Sequence, residues 1–498
     1  MSHKPPTDLY DVLRQAVHET PSAGAFSQIL GALQHGKDFD PQTYKAVWLP
    51  YAQEHIARWR AQTSPQVIRA GRWTAISHAE IVDPLAMTRS GPAVLEALSE
   101  EMFGFGLIRT LRLHQKGRWK GEGLKSRHGA LLAQNASLET LEGLCIQGQR
   151  LGRDGVSALL SSPHLKNLRA LSIKGAALGA SGVQGIAQTS TLKDLEMLVL
   201  IHTQLGGGIS QLARSPHLKN LRTLVLDANG LIPSDAKKLA ASQNLGQLTH
   251  LSLNRNNSLQ NQGVSFLANS PGLGALERLE LSDTHMHDDG FEDLVTSQGL
   301  GALRVLEVCA NDIHPHGIRA LAQSSLLGQL RRLDLRGNHL GDDGAQVLAS
   351  SSHCRALKEL DLGYNELGDL AAMRIANSPH LRGLTSLVLI GNGIGPSGAE
   401  SLAGSDLMEG LEVLELSDNP IGDKGLAALL QSPHLGSLRQ LQIANIQMSD
   451  QGARALSQCE ALSNLERLVL VEFRASLSEE AIQILKASPH IGHLIVSF

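Results

Sequence analysis

The chain is 498 residues long, with 44 Lys plus Arg against 48 Asp plus Glu and a formal net charge of −4. That near balance argues against general affinity for nucleic acid or an anionic membrane surface. No stretch reaches the ~18 consecutive apolar residues of a membrane span, and Met1-Ser2-His3-Lys4-Pro5-Pro6 lacks the apolar run of a secretory signal, so a cytoplasmic location is expected.

Residues 1–106 concentrate aromatic side chains: Trp48, Trp59, Trp73, Tyr10, Tyr44 and Tyr51. Leu9, Val12, Leu13, Ala16 and Val17 make one helical stripe, and Tyr44, Val47, Trp48, Tyr51, His55 and Trp59 make another. The reading is a mainly helical N-terminal cap domain shielding the leucines that follow, with a separate recognition or targeting domain as the alternative. Residues 107–137 come next, where Ile108, Leu111 and Leu113 predict a degenerate first strand followed by a basic insertion. Arg109, Arg112, Lys116, Arg118, Lys120, Lys125 and Arg127 have only Glu122 against them, with Trp119 in their midst. Arg118, Trp119 and Lys120 are therefore a candidate patch for an anionic partner or nucleic acid, weighed against a solvated cap loop.

Residues 138–490 repeat. Leu138, Leu165, Leu192, Leu218, Leu245, Leu273, Leu300, Leu327, Cys354, Leu381, Met408, Leu435 and Leu462 open thirteen units, most of them 27 residues long. Position 7 is Leu in every unit, from Leu144 to Leu468, and position 9 is always Leu, Ile or Val. Leu333-Asp334-Leu335 alternates as a strand does, while Ala345 and Val347-Leu348-Ala349 fit one face of a short helix. Asp at position 16 (Asp288, Asp342, Asp369, Asp423, Asp450) suits the amino end of that helix, and Pro233, Pro315 and Pro396 suit its first residue. Ser-Pro-His, as at 162–164 and 432–434, closes it. Cys145, Cys309, Cys354 and Cys459 lie far apart inside the units, as reduced thiols would. One unit cannot bury both its strand and its helix, so the units must stack, with strands at roughly 4.8 Å per rung.

The run Leu330-Arg331-Arg332-Leu333-Asp334-Leu335-Arg336-Gly337-Asn338-His339-Leu340-Gly341-Asp342-Asp343-Gly344 resembles the leucine-rich repeat of the ribonuclease-inhibitor type, L-x-x-L-x-L-x-x-N-x-L-G-D-x-G. The resemblance implies an α/β fold, a curved leucine-rich-repeat solenoid with a parallel concave sheet and convex helices. Asn229, Asn256, Asn311, Asn338, Asn365, Asn392 and Asn419 fall on the pattern's asparagine, whose side chain is expected to satisfy backbone groups in the turn. Gln149, Ala176, Thr203, Thr284, Ile446 and Phe473 depart from it, so the terminal coils are expected to be less regular. The uniform units also look like multi-repeat bacterial cytosolic proteins.

Position 8, on the strand's outward face, is acidic in four successive units, at Glu280, Glu307, Asp334 and Asp361, with Arg278, Arg332 and Arg336 beside them. Carboxylates ~5 Å apart repel by ~3 kcal/mol at an effective dielectric of about 20. The face is either solvated and self-neutralised or an acidic stripe prepared for a basic partner segment. Apolar rungs at Val199, Ile201 and Val225 and at Val388 and Ile390 flank it. Glu280, Glu307, Asp334, Asp361, Arg332 and Arg336 are the candidate partner-binding residues. On the adjoining loops, His285, His287, His314 and His316 with nearby aspartates are a metal candidate, against a simpler reading as surface histidines. No P-loop, G-x-S-x-G, H-E-x-x-H or dinucleotide fingerprint is present in a credible context.

The expectation is a non-enzymatic protein–protein interaction scaffold, needing no cofactor, that takes a protein or peptide on the concave face, a basic one if the acidic stripe is the binding site. The alternatives are a regulator of a small GTPase, since the Ran GTPase-activating protein shares this repeat type, and binding of an anionic partner through the 109–127 loop. In residues 491–498, Leu494, Val496 and Phe498 predict a terminal strand whose uncovered edge invites self-association or docking.

Overall fold

The computed structural model describes residues 66–69, 79–82, 86–89, 110–114, 126–147, 151–470 and 477–494. The chain divides into two compact units, residues 1–230 with 241–248 and residues 231–240 with 249–498. Both helical stripes read in residues 1–106 lie outside the described residues. Where 66–89 is described, it is strand. Strands β1 (Gln66–Arg69) and β2 (Ala79–Val82) pair antiparallel, and β3 (Ala86–Arg89) lies parallel to β4 (Thr110–His114). β-branched residues in β1 and β2 (Val67, Ile68, Ile81, Val82) favour that outcome.

In the first unit, β4 continues in parallel through β5 (Gly143–Gln147), β6 (Ala170–Lys174), β7 (Met197–Ile201) and β8 (Thr223–Val225). In the second, β9 (His250–Ser252), β10 (Arg278–Glu280), β11 (Val305–Glu307), β12 (Arg332–Asp334), β13 (Glu359–Asp361), β14 (Ser386–Val388), β15 (Val413–Glu415), β16 (Gln440–Gln442) and β17 (Arg467–Val469) follow one another in parallel. Register pairs the position-7 leucines directly: Leu171 with Leu144 and Leu198, and Leu360 with Leu333 and Leu387. From β4 on, each strand is followed by a short helix, such as Gly341–Ser350 after β12 or Pro396–Ala403 after β14. This is the α/β architecture of a repeat solenoid. Leucines at positions 7 and 9 are almost wholly buried between strand and helix, each contributing ~1.5–3 kcal/mol of apolar burial.

Three columns of polar side chains hold the rungs together. The expected asparagine column is present: Asn338 Nδ2 donates to Val308 O (3.1 Å) and Leu335 O (2.8 Å), and its Oδ1 accepts from Ile313 N at 3.2 Å. The position-16 aspartates stand in the first turn of their helices, as expected, and do more. They cap the helix of the next repeat, not only their own: Asp369 Oδ1 accepts from Gly395 N at 2.7 Å and Gly398 N at 2.9 Å, and Asp342 Oδ1 from Gly368 N and Ala371 N. A Cβ on Gly398 would stand 2.7 Å from that Asp369 oxygen, which explains the glycine there. The serine of Ser-Pro-His forms the third column, which the sequence reading missed. Ser378 Oγ donates to Ala349 O one rung back and accepts from His380 N, and Ser432 Oγ does the same with Ala403 O and His434 N.

Position 11 ends each strand in the left-handed region, from Gly175 at φ 69° to Asn445 at φ 52°. Non-glycine residues there cost ~1–2 kcal/mol. The conformation aims the amide along the stack, so that Ala310 N, Tyr364 N and Asp418 N each reach a carbonyl of the next rung.

Candidate functional site

With positions 7 and 9 turned to the helices, positions 6, 8 and 10 fall on the sheet's other, open face. In the second unit, register places Glu280, Glu307, Asp334 and Asp361 side by side on successive strands, followed by Val388 and Glu415. They are not the solvent-facing contacts the sequence suggested: the five carboxylate residues are 0 to 8% exposed. Each closes its three-residue strand, with neighbouring strands about 4.8 Å away on both sides, where longer side chains from positions 6 and 10 bond to it.

Two parts of the stripe differ in how charge is met. Glu280 accepts from Arg278 Nε (2.8 Å) and Asn254 Nδ2 (3.1 Å) and lies 2.9 Å from His250 Nε2. Arg278 reaches on to Glu307, and Arg332 lies 3.4 Å from Glu307 and 3.0 Å from Glu359. Burial alone would lower the Arg332 pKa, but Glu307, Asp334, Glu359 and Asp361 outweigh it and raise it. This part is an ion-pair ladder.

Beyond Asp334 compensation thins. Asp361 Oδ1 accepts from Gly363 N at 2.8 Å, while its buried Oδ2 has no hydrogen-bond partner. Burial, with the Asp334 charge beside it, holds the Asp361 carboxyl well above the usual carboxylate range, against the pull of Gly363 N–H and Arg336. Asp334 is raised by burial and by Glu307, and Glu415 by burial, against Arg336 and Arg467. Burial and the same Asp334 push the Cys309 thiol well up, so it is an inert buried group.

Over this part lies a residue the sequence reading passed by. Tyr364, the one tyrosine in the repeats, is 43% exposed. The Arg336 guanidinium sits 4.7 Å from its ring centroid, and its hydroxyl donates to Asp418 Oδ2 at 3.3 Å, two rungs on. Gly391 (φ 67°) lies against the ring, where a Cβ would overlap ring atoms. Its lone occurrence outside the aromatic-rich amino-terminal region was the available signal.

The histidines do not converge. His285 lies 3.0 Å from Asn257 Nδ2, His287 3.5 Å from Asp312, His314 3.8 Å from Asp288 and His316 3.7 Å from Glu292. His314 stacks on His339, with centroids 5.3 Å apart. Among the described residues, no group of three or more His, Cys, Asp or Glu side chains is placed to hold a metal ion. Arg118, Trp119 and Lys120 lie outside the described residues, as do Val496 and Phe498. Leu494 ends a single 3-10 turn, Gly492–Leu494.

The first unit's open face carries an apolar cluster: Ala170, Met197, Val199 and Val225, with Cys145 and Ile201 packed against them. A cleft of about 600 Å³ in the same unit is lined by Arg169, Glu196, Lys219, Arg222, Gln243 and Gln247 among others. Its charges are of both signs, and Arg169 pairs with Glu196 at 3.3 Å.

A family model described as Leucine Rich repeat matches residues 248–268, 330–349, 353–376, 380–403 and 411–430. No curated protein matches the chain. Among solved structures, the chain is similar to an internalin (inlF) from Listeria monocytogenes, at 20% identity over 79% of this chain and 93% of that one, with a TM-score of 0.45. It is similar to a structure of the Rad7 and Elc1 complex in yeast, at 18% identity over 62% and 81% of the two chains, TM-score 0.39. A TLR13–ssRNA13 complex is similar at 19% identity over 76% and 57%, TM-score 0.39. Among the described residues, no helix is long and apolar enough to cross a membrane. The matched segments and the one-for-one register of leucines together give this chain the fold of a leucine-rich-repeat solenoid.

Proposed function

We propose that the protein is a non-enzymatic interaction scaffold that binds a protein or peptide partner on the open face of the second unit's sheet. One observation carries this reading. The recurring polar columns are consumed by the frame: asparagine, aspartate and serine side chains all bond from rung to rung. Position 6 of the open face does not recur. Along position 6 the second unit runs through half-buried His250, Arg278, Val305, Arg332 and Glu359 to buried Ser386 and Val413. An invariant ladder that displays a varied row is what a recognition surface requires, because specificity resides in the row and rigidity in the ladder.

The candidate contacts shift accordingly. Glu280, Glu307, Asp334 and Asp361 act from below by orienting and charging what lies above them, while Arg332, Arg336 and Tyr364 are the groups a partner meets. Arg332, Arg336 and Tyr364 include the residue types that dominate interface energies.

Site-specific photo-crosslinking tests this. A benzophenone amino acid at Val305 or Ile390, on the face, should trap a discrete partner in cells of the native source. The same label at exposed Gln346 or Glu400, on the helices, should not. Crosslinks arising only from the helix positions would overturn the reading.

A further inference from the structure

Resting on that reading and going into its chemistry, we propose that the partner is anchored on the surface formed by Arg336, Tyr364, Ile390 and Asp418, and that the group anchored is a lysine or arginine side chain of a protein segment.

Tyr364 is exposed yet held. Arg336 stacks on it, its hydroxyl is tied to Asp418, and Gly391 lies against it. A ring already fixed loses little rotamer freedom when a partner covers it, which is the property of an interface anchor. Half-buried Ile390 adds apolar surface beside it, its Cγ2 packed where a Cβ on Gly363 would otherwise stand.

Charge selects the partner. The Asp418 carboxylate accepts from the Tyr364 hydroxyl and from Asn445 Nδ2 at 2.9 Å, both neutral donors, and no cation pairs with it among the described residues. Below, Asp361 keeps an unpartnered buried oxygen, and Glu415 shares Arg336 with it. Arg336 acts on both Asp361 and Glu415, and Arg467 acts on Glu415 as well, which leaves Asp418 with neutral donors only. At Glu280 and Glu307, by contrast, Arg278, Arg332 and His250 already meet the charge, so a cation gains little there. An incoming guanidinium or ammonium finds a carboxylate bonded only by neutral donors beside an exposed ring at Asp418 and Tyr364, where charge-assisted hydrogen bonding and packing of the cation's apolar stem on the ring add. The same acidic field repels a nucleic-acid backbone.

The test uses the full chain and a fluorescein-labelled Arg-Ala-Arg-Ala-Arg peptide, followed by anisotropy at low salt, with Glu replacing Arg in a control peptide. The wild type should bind only the arginine peptide. Tyr364→Ala and Asp418→Asn should each weaken binding roughly tenfold, with Tyr364→Phe close to wild type. Asp343→Asn, which removes the same charge from an exposed helix position, should change nothing. Asp418→Asn keeps the carbonyl acceptor, so an unchanged melting temperature separates lost binding from misfolding. Failure of the wild type to bind, or equal losses in Asp343→Asn and Asp418→Asn, would overturn the anchor. Native crosslinks at Val305 and Ile390 that persist in Tyr364→Ala and Asp418→Asn would sink the anchor alone and leave the scaffold standing. Their absence from wild type would bring down the scaffold reading itself.

Discussion

Val199 in the first unit and Glu280 in the second occupy the same position of their repeats, and neither has any exposed surface. At these two rungs burial comes with the place in the ladder, whatever the side chain. What differs is the consequence. The valine gains apolar burial among Ala170, Met197 and Val225, whereas the glutamate is tolerated because Arg278, Asn254 and His250 bond to it. Asp361 is the intermediate case, a buried carboxyl with one oxygen bonded and one not. A single frame can thus carry an inert face or an electrostatically loaded one.

The comparison breaks most visibly if a charge is moved into the apolar face. Val199→Glu places an uncompensated carboxylate in the first unit and should cost about 3–5 kcal/mol in urea unfolding. A variant as stable as wild type would show that the apolar face is open to water. A test of the shared frame comes next. Asn365→Leu removes the donors to Leu335 O and Gly363 O and should cost about 3 kcal/mol, although Ala176 already stands at that position in the first unit.

Gly391→Ala should cost about 2 kcal/mol, combining a left-handed backbone with overlap on the Tyr364 ring. In a Tyr364→Ala background only about 1 kcal/mol should remain, and a full additive loss would mean that the ring does not rest there.

Asp361→Asn gives the smallest effect, and in the opposite direction. Because its folded pKa is raised, the native state binds the extra proton, so wild-type stability falls as pH climbs from the ordinary carboxylate value through the raised one. Asparagine can still accept from Gly363 N and removes that dependence. It should stabilise by about 1 kcal/mol above neutral pH, with the gain vanishing in acid. Parallel melting curves at every pH would remove Asp361 from the account.

Much of the frame was legible in the chain. Leucine at position 7 without exception and an asparagine column in seven units fix strand, turn and stacking, because each such residue acts within its own repeat or on an identical neighbour. The site was legible only in outline. Glu280, Glu307, Asp334 and Asp361 were found as a row, but their burial and their unequal neutralisation depend on side chains arriving from adjoining rungs. The serine column went unread for the same reason: Ser378 looks like part of a helix stop until Ala349, 29 residues earlier, is seen to lie against it.

Sequence by itself determined the period, the elements within each repeat and which positions face the helices, since periodicity is a local property of the chain. Only the tertiary structure decided that Asp369 caps the following helix, that Tyr364 reaches Asp418 and that Asp361 is left half-satisfied. Those outcomes follow from distances between residues some 26 to 54 positions apart. Rung spacing sets those distances, and residue order does not state them.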